Sequence, residues 1–212
     1  RDFGGITFFE HVLKETSKQT FLSQSTFDIF FSNIFHSLRN VFYGIMQLQD
    51  HGISHGDITI RNIIYKKNNS FLIDFGLAYE FSNKQYIENH LEFLFRGTDR
   101  IYEAYPYDYQ LYHGYLDTPY LQSEYNDMVV GINRQHQDEH VSYHEILGRT
   151  QTRKHIHQFM EDTLSGHYRP DLQDIIQSLD TYSVGMLIPI ILHDLAQEYK
   201  ISIPTLLKRC KG

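Results

Sequence analysis

The chain has 212 residues, of which 41% are hydrophobic and 21% charged, enough for one large domain or two small ones. Its formal net charge of −7 argues against nucleic-acid binding through bulk positive charge, because neutralising phosphates needs clustered Lys and Arg. The single cysteine, Cys210, excludes an internal disulfide framework and favours a reducing intracellular compartment, with the cytoplasm preferred. The longest apolar stretch, residues 184–192, is far shorter than the ~18 residues of a membrane span, so we expect no membrane partner.

Two helices are predicted in the first quarter of the chain. Residues 7–14 can place apolar side chains on one face of a short helix. Residues 32–50 show the three- and four-residue apolar spacing of a longer helix, at Ile34, Leu38, Val41, Phe42, Ile45, Met46 and Leu48. Gly52 follows where a left-handed C-terminal cap is expected.

A β-hairpin is predicted next, from apolar runs at residues 63–65 and 71–73 that are separated by residues 66–70. Asn62 directly precedes the first run and Asp74 directly follows the second. Antiparallel pairing would therefore bring these two polar residues to the same open end of the hairpin.

The second half of the chain gives weaker patterns. Residues 77–95 have no clean period and are predicted to form an extended loop. Residues 175–199 are helical in pattern, although Pro189 in the interior should cost about 3 kcal/mol or kink the helix.

Residues 107–170 are polar and rich in Tyr and His, and they cannot be assigned to elements from their pattern. His136, His140 and His144 would share one face of a helix. Because Gln, Asp and Glu flank them, we interpret this as a solvated polar face rather than a zinc site. The whole segment is interpreted as a family-specific insertion.

The most informative feature is the run His55-Gly56-Asp57-Ile58-Thr59-Ile60-Arg61-Asn62, followed by Asp74-Phe75-Gly76. Phosphoryl transfer requires mainly positioning and charge neutralisation, with a carboxylate to accept a proton and oxygen ligands for Mg²⁺. Asp57 is a candidate for the base, and Asn62 and Asp74 are candidates for the metal ligands.

These motifs have the spacing of the protein-kinase catalytic loop and metal-binding loop, so the chain resembles the C-terminal lobe of a eukaryotic-type protein kinase. The resemblance implies a predominantly helical α+β fold in which a small β-hairpin carries both loops. It also implies that Asp57 is the catalytic base and that Asn62 and Asp74 bind Mg²⁺ and, through it, ATP. His55 is expected to pack in the core beneath the site.

Two further segments extend the resemblance. Gly97-Thr98-Asp99-Arg100 is similar to the end of an activation segment, and residues 180–185 are similar to the start of the buried central helix of the lobe. The resemblance implies that Asp180 hydrogen-bonds the backbone of the catalytic loop. The supporting residues that it implies are His55, Thr59, Phe75, Gly76, Thr98 and Asp180.

The chain also departs from the kinase pattern. Gly56 stands in place of the usual Arg, which in the family often pairs with a phosphorylated loop residue, so we expect activity that does not need phosphorylation within residues 77–96. Thr59 replaces the Lys that is common in Ser/Thr kinases. Glu103-Ala104 lies near the place of the Ala-Pro-Glu element but out of order.

Three functions stay open at this point. The favoured one is an ATP- and Mg²⁺-dependent protein kinase, with Ser/Thr preferred over Tyr and a protein as substrate. The second is a small-molecule phosphotransferase, because His-Gly-Asp-Ile-Thr is also similar to the loop of aminoglycoside and choline phosphotransferases. The same pattern is similar to that of the small kinases of the KEOPS tRNA-modification complex. A pseudokinase-like binding module is the non-enzyme alternative.

No Gly-x-Gly-x-x-Gly loop and no strand with a phosphate-pairing Lys occur in the 212 residues. Asp2-Phe3-Gly4-Gly5 resembles the exit from the hinge between kinase lobes, so the nucleotide-covering lobe is expected upstream of Arg1. We therefore interpret residues 1–212 as one partial kinase-like domain, with a protein that consists of this lobe alone as the alternative.

Overall fold

Five α-helices and two small antiparallel sheets make up the part of the chain that the computed structural model describes, namely residues 5–18, 24–95, 105–106, 149–168 and 171–198. The helices are α1 (Phe8–Lys18), α2 (Gln24–Asp50), α3 (Lys84–Phe95), α4 (Arg149–Leu164) and α5 (Leu172–Glu198). The strands are β1 (Ile6–Thr7), β2 (Ile53–Ser54), β3 (Ile63–Lys66), β4 (Asn69–Leu72) and β5 (Tyr79–Glu80), in sheets of order β1-β3-β4 and β2-β5.

Both predicted N-terminal helices are present, and both are longer than predicted. A capping box begins α1, because the Glu10 N–H donates to Thr7 Oγ1 at 3.1 Å and the Thr7 N–H donates to Glu10 Oε2 at 2.9 Å. Helix α2 begins at Gln24 rather than at residue 32. It ends as predicted, with Gly52 at a φ of 70° and its N–H donating to Gln49 O.

The main hydrophobic core lies between α1, α2 and α5. Helix α2 contributes buried side chains at a spacing of three or four residues, which keeps them on one face. The buried members of the core are Phe8 and Val12 from α1, Phe30, Ile34, Leu38, Val41 and Ile45 from α2, Ile58 and Ile60 from the segment between β2 and β3, Ile63 from β3, and Met186, Leu187, Ile190, Ile191 and Leu195 from α5. Each fully buried apolar side chain of this size stabilises the fold by roughly 1.5–3 kcal/mol.

The hairpin has the predicted strands but a tighter turn. Pairing of Ile63 with Leu72 and of Lys66 with Asn69 leaves only Lys67 and Asn68 in the turn. Their φ values are 51° and 63°, which is the positive-φ pair that favours the twist of a two-residue hairpin.

The prediction of an extended loop at residues 77–95 is wrong. This segment contains β5, which pairs with β2, and then α3. Asn83 caps α3, because its side chain accepts the Tyr86 N–H and its carbonyl accepts the Ile87 N–H, both at 3.1 Å. Among residues 84–89, the part of α3 whose burial the structure describes, only Ile87 is buried, which gives too weak a period to be recognised in the sequence.

Helix α5 is continuous through Pro189. The carbonyl that Pro189 leaves without its helical donor belongs to Gly185, which is exposed and has open space where a side chain would stand. Residues Leu172–Ala196 of α5 are long and apolar enough to cross a membrane by length and composition alone, among the described residues. However, 56% of the most apolar window is buried within the protein, and core helices pass the same test.

Several predicted features lie outside the described residues. They are the hinge-like residues Asp2, Phe3 and Gly4, the segment 97–100 with Thr98, Glu103-Ala104, the histidines at 136, 140 and 144, and Cys210. Of the insertion at 107–170, the structure describes residues 149–168, which form α4 and the turn after it.

Candidate active site

Asp57 lies in the segment between β2 and β3. Buried side chains that alternate with half-buried ones anchor this segment to the core. Ile58, Ile60 and Ile63 are 1%, 7% and 0% exposed, whereas Asp57, just before Ile58, and Thr59, between Ile58 and Ile60, are half-buried. The apolar anchors point into the main core, so the intervening polar side chains face away from it. A short 3₁₀ turn at Ile60–Asn62 then leads into β3.

The amide of Asn62 holds Asp57. Asn62 Nδ2 donates to Asp57 Oδ2 at 2.7 Å and to the Asp57 carbonyl at 2.9 Å. These two bonds fix the carboxylate relative to its own backbone and use the nitrogen of the amide. The amide oxygen of Asn62 is then the atom that can ligate a cation.

Asp74 lies at the same end of the hairpin as Asn62. The register pairs Ile63 with Leu72, and the N–H of Ile73 donates to the carbonyl of Asn62 at 2.9 Å. Asp74 is exposed and adopts the left-handed conformation, with a φ of 62°. Its Oδ1 accepts the N–H of Gly76 at 3.3 Å, a local bond that compensates part of the cost of this conformation.

His55 contacts both the Asp57 backbone and the backbone just before Asp74 from the buried side of the site. It is 0% exposed, and its Nε2 lies 3.0 Å from the carbonyl of Ile73, which precedes Asp74. Its Nδ1 accepts the N–H of Asp57 at 3.3 Å, so the proton of the neutral ring is on Nε2, which donates to Ile73. The ring of Phe75, which is 50% exposed, lies at 4.7 Å from the imidazole.

Asp180 joins the segment of residues 55–62 to α5. Its Oδ2 accepts the N–H of His55 at 2.7 Å and its Oδ1 accepts the N–H of Gly56 at 3.1 Å. The side chain is 1% exposed. Burial raises the pKa of the Asp180 carboxyl, while the hydrogen bonds from the two backbone N–H groups act against that rise.

Gly56 could not be another residue without a change in the backbone. Its φ is 76°, and a Cβ at this position would stand 2.5 Å from the carbonyl oxygen of Leu77. The close approach brings the Asp57 segment against the loop that follows Asp74. The sequence showed that an Arg is missing here, and the structure shows that this backbone has no space for any side chain.

Tyr105 is a site residue that the sequence did not indicate. Its hydroxyl donates to the carbonyl of Gly56 at 2.8 Å, and the side chain is 3% exposed. Burial raises the pKa of the Tyr105 hydroxyl far above its ordinary value, and the nearby negative charge of Asp57 raises it further. Tyr105 stands directly after the out-of-order match to Ala-Pro-Glu in the sequence, and no spacing rule connects it to Gly56.

The remaining predicted residues are less informative. Thr59 precedes the 3₁₀ turn with extended backbone, and its side chain makes no capping bond. Among the described residues, no group of three or more His, Cys, Asp and Glu could hold a metal ion. Asn62 and Asp74 would therefore need further oxygen ligands, such as phosphate, to complete a Mg²⁺ site.

Comparison with known proteins finds a family match for part of the chain. Residues 6–95 match the family described as protein tyrosine and serine/threonine kinase, and this range includes His55, Asp57, Asn62 and Asp74. This partial match supports membership of the protein kinase superfamily. The matched range ends before Tyr105 and Asp180, so the hydrogen bonds of these two residues to His55 and Gly56 are observations on the structure alone.

A probable serine/threonine-protein kinase, cdc7 of Dictyostelium discoideum, is 39% identical to this chain over 80 residues. The aligned region is 37% of this chain and 7% of that protein, so the chain spans only a small part of that relative's length. No solved structure matches significantly.

Proposed function

We propose that this chain carries the catalytic residues of an ATP-dependent protein phosphotransferase that acts on Ser or Thr. Superfamily membership supports phosphoryl transfer to protein in general. The name of the Dictyostelium relative supports the preference for Ser and Thr, since that protein is described as a serine/threonine kinase.

The observation that carries the proposal is the fixed Asp57 carboxylate. Asn62 Nδ2 donates one hydrogen bond to the carboxylate and one to the backbone carbonyl of Asp57, and the Asp57 N–H donates to His55 Nδ1. A carboxylate so placed can accept the proton of the attacking hydroxyl as that oxygen bonds to phosphorus. The proton then lies on Asp57, and the leaving ADP carries the released electron pair.

Asn62 and Asp74 have the oxygen chemistry that Mg²⁺ requires. An amide oxygen and an exposed carboxylate at one end of the hairpin suit a hard cation that takes its remaining ligands from phosphate. Bound Mg²⁺ would neutralise charge on the phosphates. The protein's own contribution is to fix both ligands, through the Asn62–Ile73 hydrogen bond and the Asp74–Gly76 turn.

The described helices and the hairpin further support assignment as the substrate-binding lobe of a kinase, with α5 as its central helix. Asp180 would then act as a positioning residue, because it fixes the backbone on the N-terminal side of Asp57. The proposal also includes Thr98, which lies in the segment that is similar to the end of an activation segment and would help to dock the acceptor residue.

The test uses the complete translation product of the gene that encodes these residues, with radiolabelled ATP, Mg²⁺ and a mixture of protein substrates. Asp57→Asn is expected to reduce transfer by about 10²–10⁴-fold, because it removes the proton acceptor. Asp50→Asn, at the exposed end of α2, is the matched control and should retain activity. Thermal unfolding of both variants shows whether the fold is kept.

The label identifies the function. Phosphoserine or phosphothreonine in protein that disappears in Asp57→Asn supports the proposal. Label on an aminoglycoside or on choline alone would replace it by a small-molecule phosphotransferase. Binding of Mg·ATP by wild-type protein without any transfer would instead indicate a pseudokinase-like binding module.

A further inference from the structure

Within the catalytic segment, residues 55–62, Gly56 is the residue with the greatest intrinsic backbone freedom. Glycine has more conformational freedom than any other residue, and at this position the carbonyl of Leu77 leaves no space for a side chain. The residue itself therefore cannot fix the backbone next to Asp57. Groups elsewhere in the chain must do so.

The peptide group between Gly56 and Asp57 is held at both of its polar atoms. Its N–H, which belongs to Asp57, donates to His55 Nδ1 at 3.3 Å, and its carbonyl oxygen accepts the hydroxyl of Tyr105 at 2.8 Å. The preceding peptide is held separately, because the N–H of Gly56 donates to Asp180. Among the described residues that hold these two peptides, Tyr105 alone comes from the segment between α3 and α4.

The position of Tyr105 is itself fixed by packing. Its side chain belongs to a second hydrophobic cluster, whose other buried members are Tyr79, Ile87, Ile175, Ile176 and Leu179. Strand β5, helix α3 and helix α5 therefore hold the ring. Because the hydroxyl is buried, loss of its hydrogen bond would leave the Gly56 carbonyl without an equivalent partner from solvent.

We propose that Tyr105 is a positioning residue for Asp57, and that its hydroxyl fixes the Gly56–Asp57 peptide where no side chain at position 56 can. This proposal rests on the proposed function, in which Asp57 is the catalytic base. Tyr105 acts through the backbone and does not contact the reacting groups. Its loss should thus lower the rate of transfer more than the binding of ATP.

The experiment compares Tyr105→Phe with Tyr43→Phe in the complete translation product. Tyr43 is half-exposed on α2 and accepts a hydrogen bond from Arg39, so its variant removes a hydroxyl without touching the catalytic segment. We expect Tyr105→Phe to lower kcat by about tenfold, the scale of one lost buried hydrogen bond, while KM for ATP changes by less than about twofold. Tyr43→Phe should leave both unchanged.

Amide hydrogen exchange gives a readout that does not need activity. In Tyr105→Phe, exchange in the peptide that covers residues 53–58 should rise by about tenfold, while exchange in α2 stays as in wild type. Unchanged exchange at residues 53–58 would overturn the proposal, and so would an equal rise throughout the domain, which indicates general destabilisation. An inactive wild-type protein would contradict the proposed function, whereas the exchange result would still decide whether Tyr105 fixes this peptide.

Discussion

Gly56→Ala is expected to destabilise the protein, although Gly-to-Ala changes often stabilise proteins. At a φ of 76° an alanine costs about 1–2 kcal/mol relative to glycine. Its Cβ would also stand 2.5 Å from the Leu77 carbonyl oxygen, and relief of such overpacking typically costs about 1–3 kcal/mol. The lower entropy of the unfolded alanine variant offsets about 1 kcal/mol. The expected net loss in free energy of unfolding is therefore about 1–4 kcal/mol.

Urea denaturation measures this loss, with Gly44→Ala as the matched control. Gly44 lies inside α2, and no neighbouring atom comes within 4 Å of the place that a methyl group would take, so its replacement should stabilise the helix by about 0.5–1 kcal/mol. Since small proteins lose about 1–3 kcal/mol of stability per molar urea, the two midpoints should separate by at least about 0.5 M. A Gly56→Ala midpoint equal to that of Gly44→Ala would refute the close approach of Gly56 to Leu77.

The same geometry bears on the missing arginine. Gly56→Arg would restore the residue that is usual in kinases, but it would meet the same backbone clash with a larger side chain. We expect this variant to lose stability at least as strongly as Gly56→Ala and to lose activity. A more active Gly56→Arg enzyme would contradict the structural reason for the glycine.

Two further predictions concern the surroundings of Gly56. Asp180→Asn should lower the free energy of unfolding by about 1–3 kcal/mol, because an amide offers one acceptor to two buried N–H donors, while the exposed Asp174→Asn on the same helix should change it by less than about 0.5 kcal/mol. The pKa of Asp180 is raised in the folded state, so the stability that its titration contributes is full below the ordinary value of 3.8 and is lost as the pH rises through the folded pKa. In urea denaturation at several pH values, the difference in unfolding free energy between wild type and Asp180→Asn should therefore shrink across that range. A difference that grows with pH would contradict this prediction. Ser82→Glu should change turnover by less than about twofold. The Ser82 hydroxyl lies 3.4 Å from the Glu80 carboxylate, and Gly56 supplies no cation that could pair with an added negative charge. A tenfold rise in turnover would show that the loop is regulated by phosphorylation.

Local patterns in the sequence determined much of the fold near the site. The apolar spacing of α2, the glycine that ends it and the two short strands of the hairpin all depend on interactions within a few residues of the chain. Asn62 and Asp74 flank those strands, so their meeting at one end of the hairpin also follows from the sequence. Such features are readable because their periods and turn residues are local.

Tertiary structure decided the features that depend on distant residues. Among residues 84–89 of α3, whose burial the structure describes, Ile87 is the one buried side chain, and its burial depends on β5 and α5, so the sequence alone suggested a loop. The hydroxyl of Tyr105 reaches Gly56 across 49 residues, and no local pattern marks a tyrosine as a donor to a distant carbonyl.

Gly56 shows the difference most directly. The sequence established that an Arg is absent there, and with it the usual pairing with a phosphorylated loop. Only the packing of two loops against each other showed why, because the space for a Cβ is already occupied by the backbone of Leu77. The composition of the motif is a property of the sequence, whereas the room around each of its atoms is a property of the folded chain.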